Sequence, residues 1–302
     1  MKILDWIQTV TNNPGEGFAG VGLYFIVAVL IAVLIEILIL RFLIRMLTSA
    51  RALRHNYSGR LIPVGLGLSF IITVMVVFFL YALLGLYDDS YSLFIIGAVI
   101  VSFLGFIDDM LGQRDKLGLQ GHLGALWQGE LTTGGLKAVG GLGLAVFIAF
   151  FTGGSWWDIA VNALVIALFT NTINLLDLQP GRAIKGYLFF LIIIIAAARG
   201  GVDWMLIAPL LGAVLIYWLP DLKALVMMGD TGSNVLGFAL GYMSVVFLEL
   251  PWRLGFLVFL IILHVFTEYY SISQIIDRVG IFRSVDNWGR SWQDDQPTEI
   301  DR

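Results

Sequence analysis

The chain contains no cysteine, which rules out disulfides, thiol nucleophiles and thiolate metal sites. Charge is sparse too. Only 13% of the 302 residues are Asp, Glu, Lys or Arg, well below the share a soluble domain carries. The first seventeen residues lack the short apolar core of a cleaved signal peptide. No internal repeat and no low-complexity linker interrupts the chain, and the only long polar stretch begins after residue 277. What remains is apolar: 59% hydrophobic residues and a mean hydropathy of +0.89. A soluble globular protein does not have this composition.

The apolar residues fall in runs of membrane-spanning length, near 20–47, 61–86, 91–107, 134–152, 155–175, 184–199, 202–219, 232–249 and 253–276. Each is long enough to cross the hydrocarbon core as a helix. A β-barrel would need short alternating segments, which an unbroken run such as 189–198 contradicts. The expectation is an all-α, polytopic membrane bundle of about nine to ten transmembrane helices, forming one domain over 1–302 with 277–302 as a tail. With nine spans, all but three of the 18 Lys and Arg residues (Lys2, Arg199 and Arg253) fall on one side. The positive-inside rule makes that side cytoplasmic, in the inner (plasma) membrane, with the N-terminus outside. The net charge of −4 carries little information, and no nucleic-acid partner is expected.

Three small polar islands interrupt the runs, and each carries acid: Asp108-Asp109, the stretch Asn171-Thr-Ile-Asn174-Leu-Leu-Asp177, and Met228-Gly-Asp230-Thr-Gly-Ser233. Each lies at the end of a run, and the nine-span count places all three on the cytoplasmic face. Acids beside a bilayer are costly, so several on one face suggest a site. Adjacent carboxylates repel and stay ionised where a cation compensates, and Mg²⁺ favours a few carboxylates plus substrate phosphates. Asp88-Asp89 is an equal pair that falls on the other face, in a short turn. The alternative for Asp108-Asp109 is a solvated pair at a helix end.

Asn171, Asn174 and Asp177 are spaced to share one helix stripe, and their amides suit a base or sugar. Such a stripe can equally hold membrane helices together. Pro180-Gly181 breaks the helix, and Arg182 and Lys185 follow as anion partners or topology anchors. Asp230 sits between glycines at a helix start, where backbone approaches phosphate closely, although an ordinary N-cap looks the same. Arg60, Lys116 and Lys137 are candidate phosphate partners, and His122 a candidate substrate contact. His264 reads as a packed helix–helix hydrogen bond, Trp156-Trp157 as an interfacial anchor, and Glu36 and Glu268 carry no assigned role.

Together these residues resemble the polyprenyl-phosphate N-acetylhexosamine-1-phosphate transferases, the MraY/WecA-like group of glycosyltransferase family 4. The resemblance runs in order from about Asn56 to Ser244: Phe-Ile-Asp108-Asp109, Asn171-x-x-Asn174-x-x-Asp177 and Met228-Gly-Asp230-Thr-Gly-Ser233. It implies transfer of a sugar-1-phosphate from a UDP-sugar to polyprenyl (undecaprenyl) phosphate with release of UMP, for wall or surface-polymer synthesis. Mg²⁺ is the implied cofactor, with Mn²⁺ as a substitute. The implied partners are the UDP-sugar, the polyprenyl phosphate and the bilayer; a homodimer is compatible. Both substrates are anions, so metal and basic groups must neutralise their repulsion. On the implied roles, Asp230 ligates the metal with Asp109 in support, and Asp108 deprotonates or orients the lipid phosphate. Asp177, Asn171 and Asn174 hold the nucleotide, and Lys116 and Lys137 contact phosphate.

Three features depart from the family pattern. Asp177 is followed by Leu-Gln-Pro180-Gly rather than a second acid, no histidine follows His264, and the chain ends in a polar tail where a tenth span is usual. The missing acid bears on the nucleotide contacts, and the missing histidines argue against muramoyl-pentapeptide specificity and for a divergent transferase of a UDP-N-acetylhexosamine. A transporter would place its ionisable groups near the midplane of a repeated fold, and an aromatic prenyltransferase would need paired Asp-x-x-x-Asp clusters. A catalytically silent relative is the third alternative.

Overall fold

The structure, a computed structural model, describes residues 14–112, 130 and 132–290. It is a helical bundle. In chain order the elements are α1 (Pro14–Ser49), a hairpin of β1 (Leu53–His55) and β2 (Leu61–Pro63), α2 (Leu68–Leu83), α3 (Ser90–Leu111), α4 (Thr133–Phe151), α5 (Trp156–Leu176), α6 (Arg182–Ala197), α7 (Trp204–Leu222), α8 (Gly229–Phe247), α9 (Leu250–Tyr269) and the short α10 (Ile272–Arg278) and α11 (Gly280–Asn287).

Each of the nine apolar runs corresponds to one long helix, the last also reaching into α10, but not each helix is a spanning one. Among the described residues, six are long and apolar enough to cross a membrane: α1, α3, α4, α5, α7 and α9. The run at 61–86 opens with a strand and a loop, which leaves α2 only 16 residues. The Pro180-Gly181 break and the turn after Ala197 trim α6 to the same 16 residues. Helix α8 has 19 residues, but its first two turns are Gly-Asp-Thr-Gly-Ser-Asn-Val.

That polar start explains where α8 sits. Every residue from Thr231 to Val245 is buried, and α8 packs mainly against α5 and α3, with α6 and α2 completing its surround. A helix enclosed by protein need not be apolar enough for lipid. Its contact with α5 is made by small residues. A Cβ on Gly237 would lie 2.4 Å from the Phe169 carbonyl oxygen, and one on Gly241 would lie 2.6 Å from the Ile166 Cα. By contrast, α1 turns Leu23, Ile26, Leu30, Leu34, Leu38 and Phe42 outward. An exposed apolar stripe of that length fits a lipid-facing surface.

The helices alternate in direction, so the C-terminal ends of α3, α5, α7 and α9 meet the N-terminal ends of α4, α6 and α8. The hairpin joins this end: Leu66 N–H donates to the Met227 carbonyl at 3.2 Å, and Met227 N–H to the Pro63 carbonyl at 2.9 Å. Its turn is held by the Asn56 side chain, which accepts from the N–H groups of Ser58 and Arg60 at 3.0 and 2.9 Å. At the opposite end the Tyr242 hydroxyl donates to the Ser90 carbonyl. There too Arg253 pairs with Asp158 at 3.4 Å, and Ser155 and Asp158 form a capping box on α5. Trp156 and Trp157, in the first turn of α5, are fully displayed at 80% and 82% exposure.

Candidate active site

The three islands converge at one end of the bundle. Asp109, in the last turn of α3, is 7% exposed. Its carboxylate accepts from the backbone N–H of Asp230 at 3.0 Å and of Thr231 at 2.9 Å, and from the Thr231 hydroxyl at 2.5 Å. Asp109 therefore caps α8 from a different helix, satisfying donors that a helix start leaves open. Arg54, from the hairpin, donates to its backbone carbonyl at 2.5 Å and to that of Asp108 at 3.4 Å. The cap requires Gly229, whose φ is +70° and on which a Cβ would lie 2.3 Å from Asp109 Oδ2.

Asp108, one residue earlier, is only half-buried. The Thr133 hydroxyl hydrogen-bonds its carboxylate, with Lys137, Arg54 and the Asp230 carboxyl close by. Lys137, in the second turn of α4, forms an ion pair with Asp230. With its amide turned to satisfy its neighbours, Asn174 donates to the other Asp230 oxygen at 2.9 Å and accepts from Lys137 at 2.5 Å. Ser233 lies 3.2 Å from the same amide. Asp108, Asp230, Lys137 and Asn174 thus form one polar cluster drawn from α3, α8, α4 and α5.

The second island divides. Asn171 is exposed, Asn174 faces Asp230, and Asp177 lies just past the end of α5. The half-buried Asp177 accepts from Gly229 N–H, and burial together with the carboxylates of Asp221, Asp230 and Asp109 holds its carboxyl well above the usual range. It shares a small cavity of about 60 Å³ with Asp221, Asn56 and Pro180. Asp221 accepts from Gly181 N–H at 2.8 Å, so it fixes the break between α5 and α6.

Above the cluster lies a cavity of about 610 Å³. Asp108 and Lys137 line it, and its apolar walls include Val101, Leu104, Ala138, Leu142, Ala167 and Leu175. Asn171, Asn234, His264, Thr267 and Glu268 also line it. Asn234 is 2% exposed and its Oδ1 has no partner. The sequence reading of His264 as a helix–helix hydrogen bond is corrected here. Its Nδ1 bonds the Leu260 carbonyl of its own helix at 2.8 Å, and its Nε2 has no partner.

Of the other expected site residues, Arg182 is engaged elsewhere. It is 5% exposed, and it donates to both Asp286 oxygens and to the Ser273 hydroxyl, each at 2.8 Å. Arg60 is exposed on the hairpin turn. Lys116 and His122 lie outside the described residues. Arg54, Thr133, Asn234 and Asp221 escaped the sequence reading. Asn234, directly after Ser233, is the one whose position in an island could have signalled it. No group of three or more His, Asp or Glu able to hold a metal occurs among the described residues. The donor set that fits a cation is the carboxylate pair Asp108 and Asp230, completed by substrate phosphate oxygens in the manner of Mg²⁺ sites; Asp109 spends its oxygens on α8.

The family model described as Glycosyl transferase family 4 matches residues 91–248, just over half of the chain. The chain belongs to glycosyl transferase family 4. The matched region runs from the first turn of α3 to the end of α8 and contains all three islands. Membership makes this a membrane-embedded transferase of the sugar-phosphate type. No curated protein matches it.

Proposed function

We propose that the protein transfers an N-acetylhexosamine-1-phosphate from a UDP-sugar to polyprenyl phosphate, releasing UMP, at the cytoplasmic face of the plasma membrane. The observation that supports this reading is that Asp108 and Lys137 line a cavity also walled by Val101, Leu104, Ala138 and Leu142, with Asp230 and Asn174 in contact with Lys137 behind that wall. A lipid phosphate needs both parts: an apolar slot for its chain and a charged end for its head.

In this reading Asp108 accepts hydrogen bonds from, or a proton of, the lipid phosphate and aims its oxygen at the β-phosphorus of the nucleotide sugar. Lys137 exchanges its contact with Asp230 for a phosphate oxygen, which neutralises charge as the two anions approach. Asn174 keeps Asp230 in place, and Asn171 and Asn234 offer amide groups to the sugar side of the cavity. Asp230 and Asp108 would hold Mg²⁺, which would supply charge neutralisation for the reacting phosphate groups. Asp109 acts by building the α8 start on which Asp230 rides. Helices α2 and α6, which expose apolar residues such as Phe79 and Ile192, and the enclosed α8 join the six longer apolar helices to complete a nine-helix crossing.

The test is UMP release from a panel of UDP-sugars with polyprenyl phosphate, with and without Mg²⁺. Metal-dependent release that Asp108→Asn abolishes supports the assignment, and turnover without lipid phosphate or after that substitution refutes it. A catalytically silent relative is the second reading, favoured by the commitment of Arg182 and Lys185 to the C-terminal segment. Nucleotide-sugar binding with no turnover would select it.

A further inference from the structure

The segment after α9 has two unlike faces. One is locked to the bundle: Asp286, 5% exposed, pairs with Arg182 and with Arg290 at 2.8 and 2.9 Å. Lys185 donates to the carbonyls of Asp286 and Trp288 at 2.7 and 2.8 Å, and Arg290 donates to the Pro180 carbonyl at 3.0 Å. The other face is apolar and largely open, with only the Trp288 ring touching the bundle, 5.9 Å from that of Trp218. Ile281, Phe282, Val285 and Trp288 are 76%, 55%, 56% and 66% exposed, and they recur at the i, i+1, i+4, i+7 spacing that makes one helical stripe.

We infer that α11 lies in the membrane–water interface, with Ile281, Phe282, Val285 and Trp288 set into the lipid and Asp286 holding the helix against the start of α6. Three observations choose the bilayer over another occupant. The stripe continues from α9, whose outward residues Val258, Ile262, Val265 and Tyr269 are exposed along a helix long enough to cross a membrane. Tyr269 and Tyr270 end that helix at 77% and 58% exposure, as amphipathic aromatics do at headgroup level. The ion pairs with Arg182, the first residue of α6, hold α11 at the end of the bundle where the apolar helices begin and end. A short helix with one apolar stripe, Arg278 just before it and Arg283 within it, binds such a surface.

The absence of native cysteine makes the test clean. Single-cysteine variants Phe282→Cys, Val285→Cys and Ser284→Cys, each in the full chain, are labelled with an environment-sensitive dye and placed in lipid nanodiscs. Labels at 282 and 285 should emit to the blue and be quenched at least twofold more by acyl-chain-brominated lipid than the label at 284. Equal quenching by aqueous iodide at all three positions overturns the inference. So does a disulfide-linked dimer of the unlabelled Phe282→Cys variant, which would make this face a contact between chains.

Discussion

Asp108 and Asp109 are chemically identical neighbours, and the structure gives them different tasks that one pair of substitutions separates. Asp109→Ala removes the acceptor of three hydrogen bonds from Asp230 and Thr231. Each unsatisfied buried donor costs about 1–3 kcal/mol, water reaching the vacated space recovers part of it, and loss of a helix cap alone costs ~0.5–2 kcal/mol. A net loss of about 2–4 kcal/mol follows. For a chain of this size a kcal/mol corresponds to roughly 2–4 °C, so thermal melting in detergent should fall by roughly 4–16 °C on that scale. Asp109→Asn keeps one acceptor but points an amide at the Thr231 donors, so it should lose about half as much. Asp108→Asn should leave melting nearly unchanged and abolish UMP release. The reasoning fails if Asp109→Ala melts like the wild type while losing all activity, because Asp109 would then be a reacting group and not a cap.

Lys137→Met removes a charge-assisted contact of about 1.5–3 kcal/mol, so kcat/KM for the nucleotide sugar should drop about ten- to hundredfold with the fold retained on gel filtration. Gly237→Val drives a side chain into the Phe169 carbonyl at 2.4 Å; the α5–α8 contact should fail and the folded peak should disappear. Arg182→Met should open the C-terminal segment to limited proteolysis while leaving KM nearly constant; a raised KM with unchanged proteolysis would restore Arg182 as a phosphate contact. Asp177 has a folded pKa raised above its unfolded value, so the native state binds the extra proton and stability declines as pH rises above about 4. Asp177→Asn should therefore melt higher than the wild type at about pH 7, with the gap closing near pH ~4. A gap that widens on acidification contradicts the buried-acid account.

The helical membrane class and the meeting of the three islands were legible from the sequence, because run lengths set element length and their parity decides which ends share a face. The structure bears out that convergence in the contacts among Asp109, Asp230 and Asn174. The number of spanning helices was less legible. Run length does not distinguish α8, which tolerates its polar start because α3 and α5 wrap it, from a helix that faces lipid. The split between Asp108 and Asp109 was hidden, since successive residues on a helix point in different directions and only the neighbouring helix decides which is buried. Arg182 was misjudged because its partner Asp286 is 104 residues away, and no local pattern links them. Arg54 reads in sequence as one more topology anchor, and only the hairpin fold carries it to Asp109.

The enclosure of α8 has a consequence for how the protein is made. A segment that opens with Gly-Asp-Thr-Gly-Ser-Asn enters a bilayer poorly alone, since a charged residue deep in a helix disfavours insertion by about 2.5–3.5 kcal/mol and one near the end by less. Its partners α3 and α5 are synthesised earlier, and Asp109 is waiting with the acceptor that the α8 start requires. Insertion of α8 and formation of the polar cluster around Asp230 are then the same event. A chain that fails to assemble leaves Asp230 without Lys137 and exposes a charged helix end to the insertion machinery, so quality control and activity read the same few atoms.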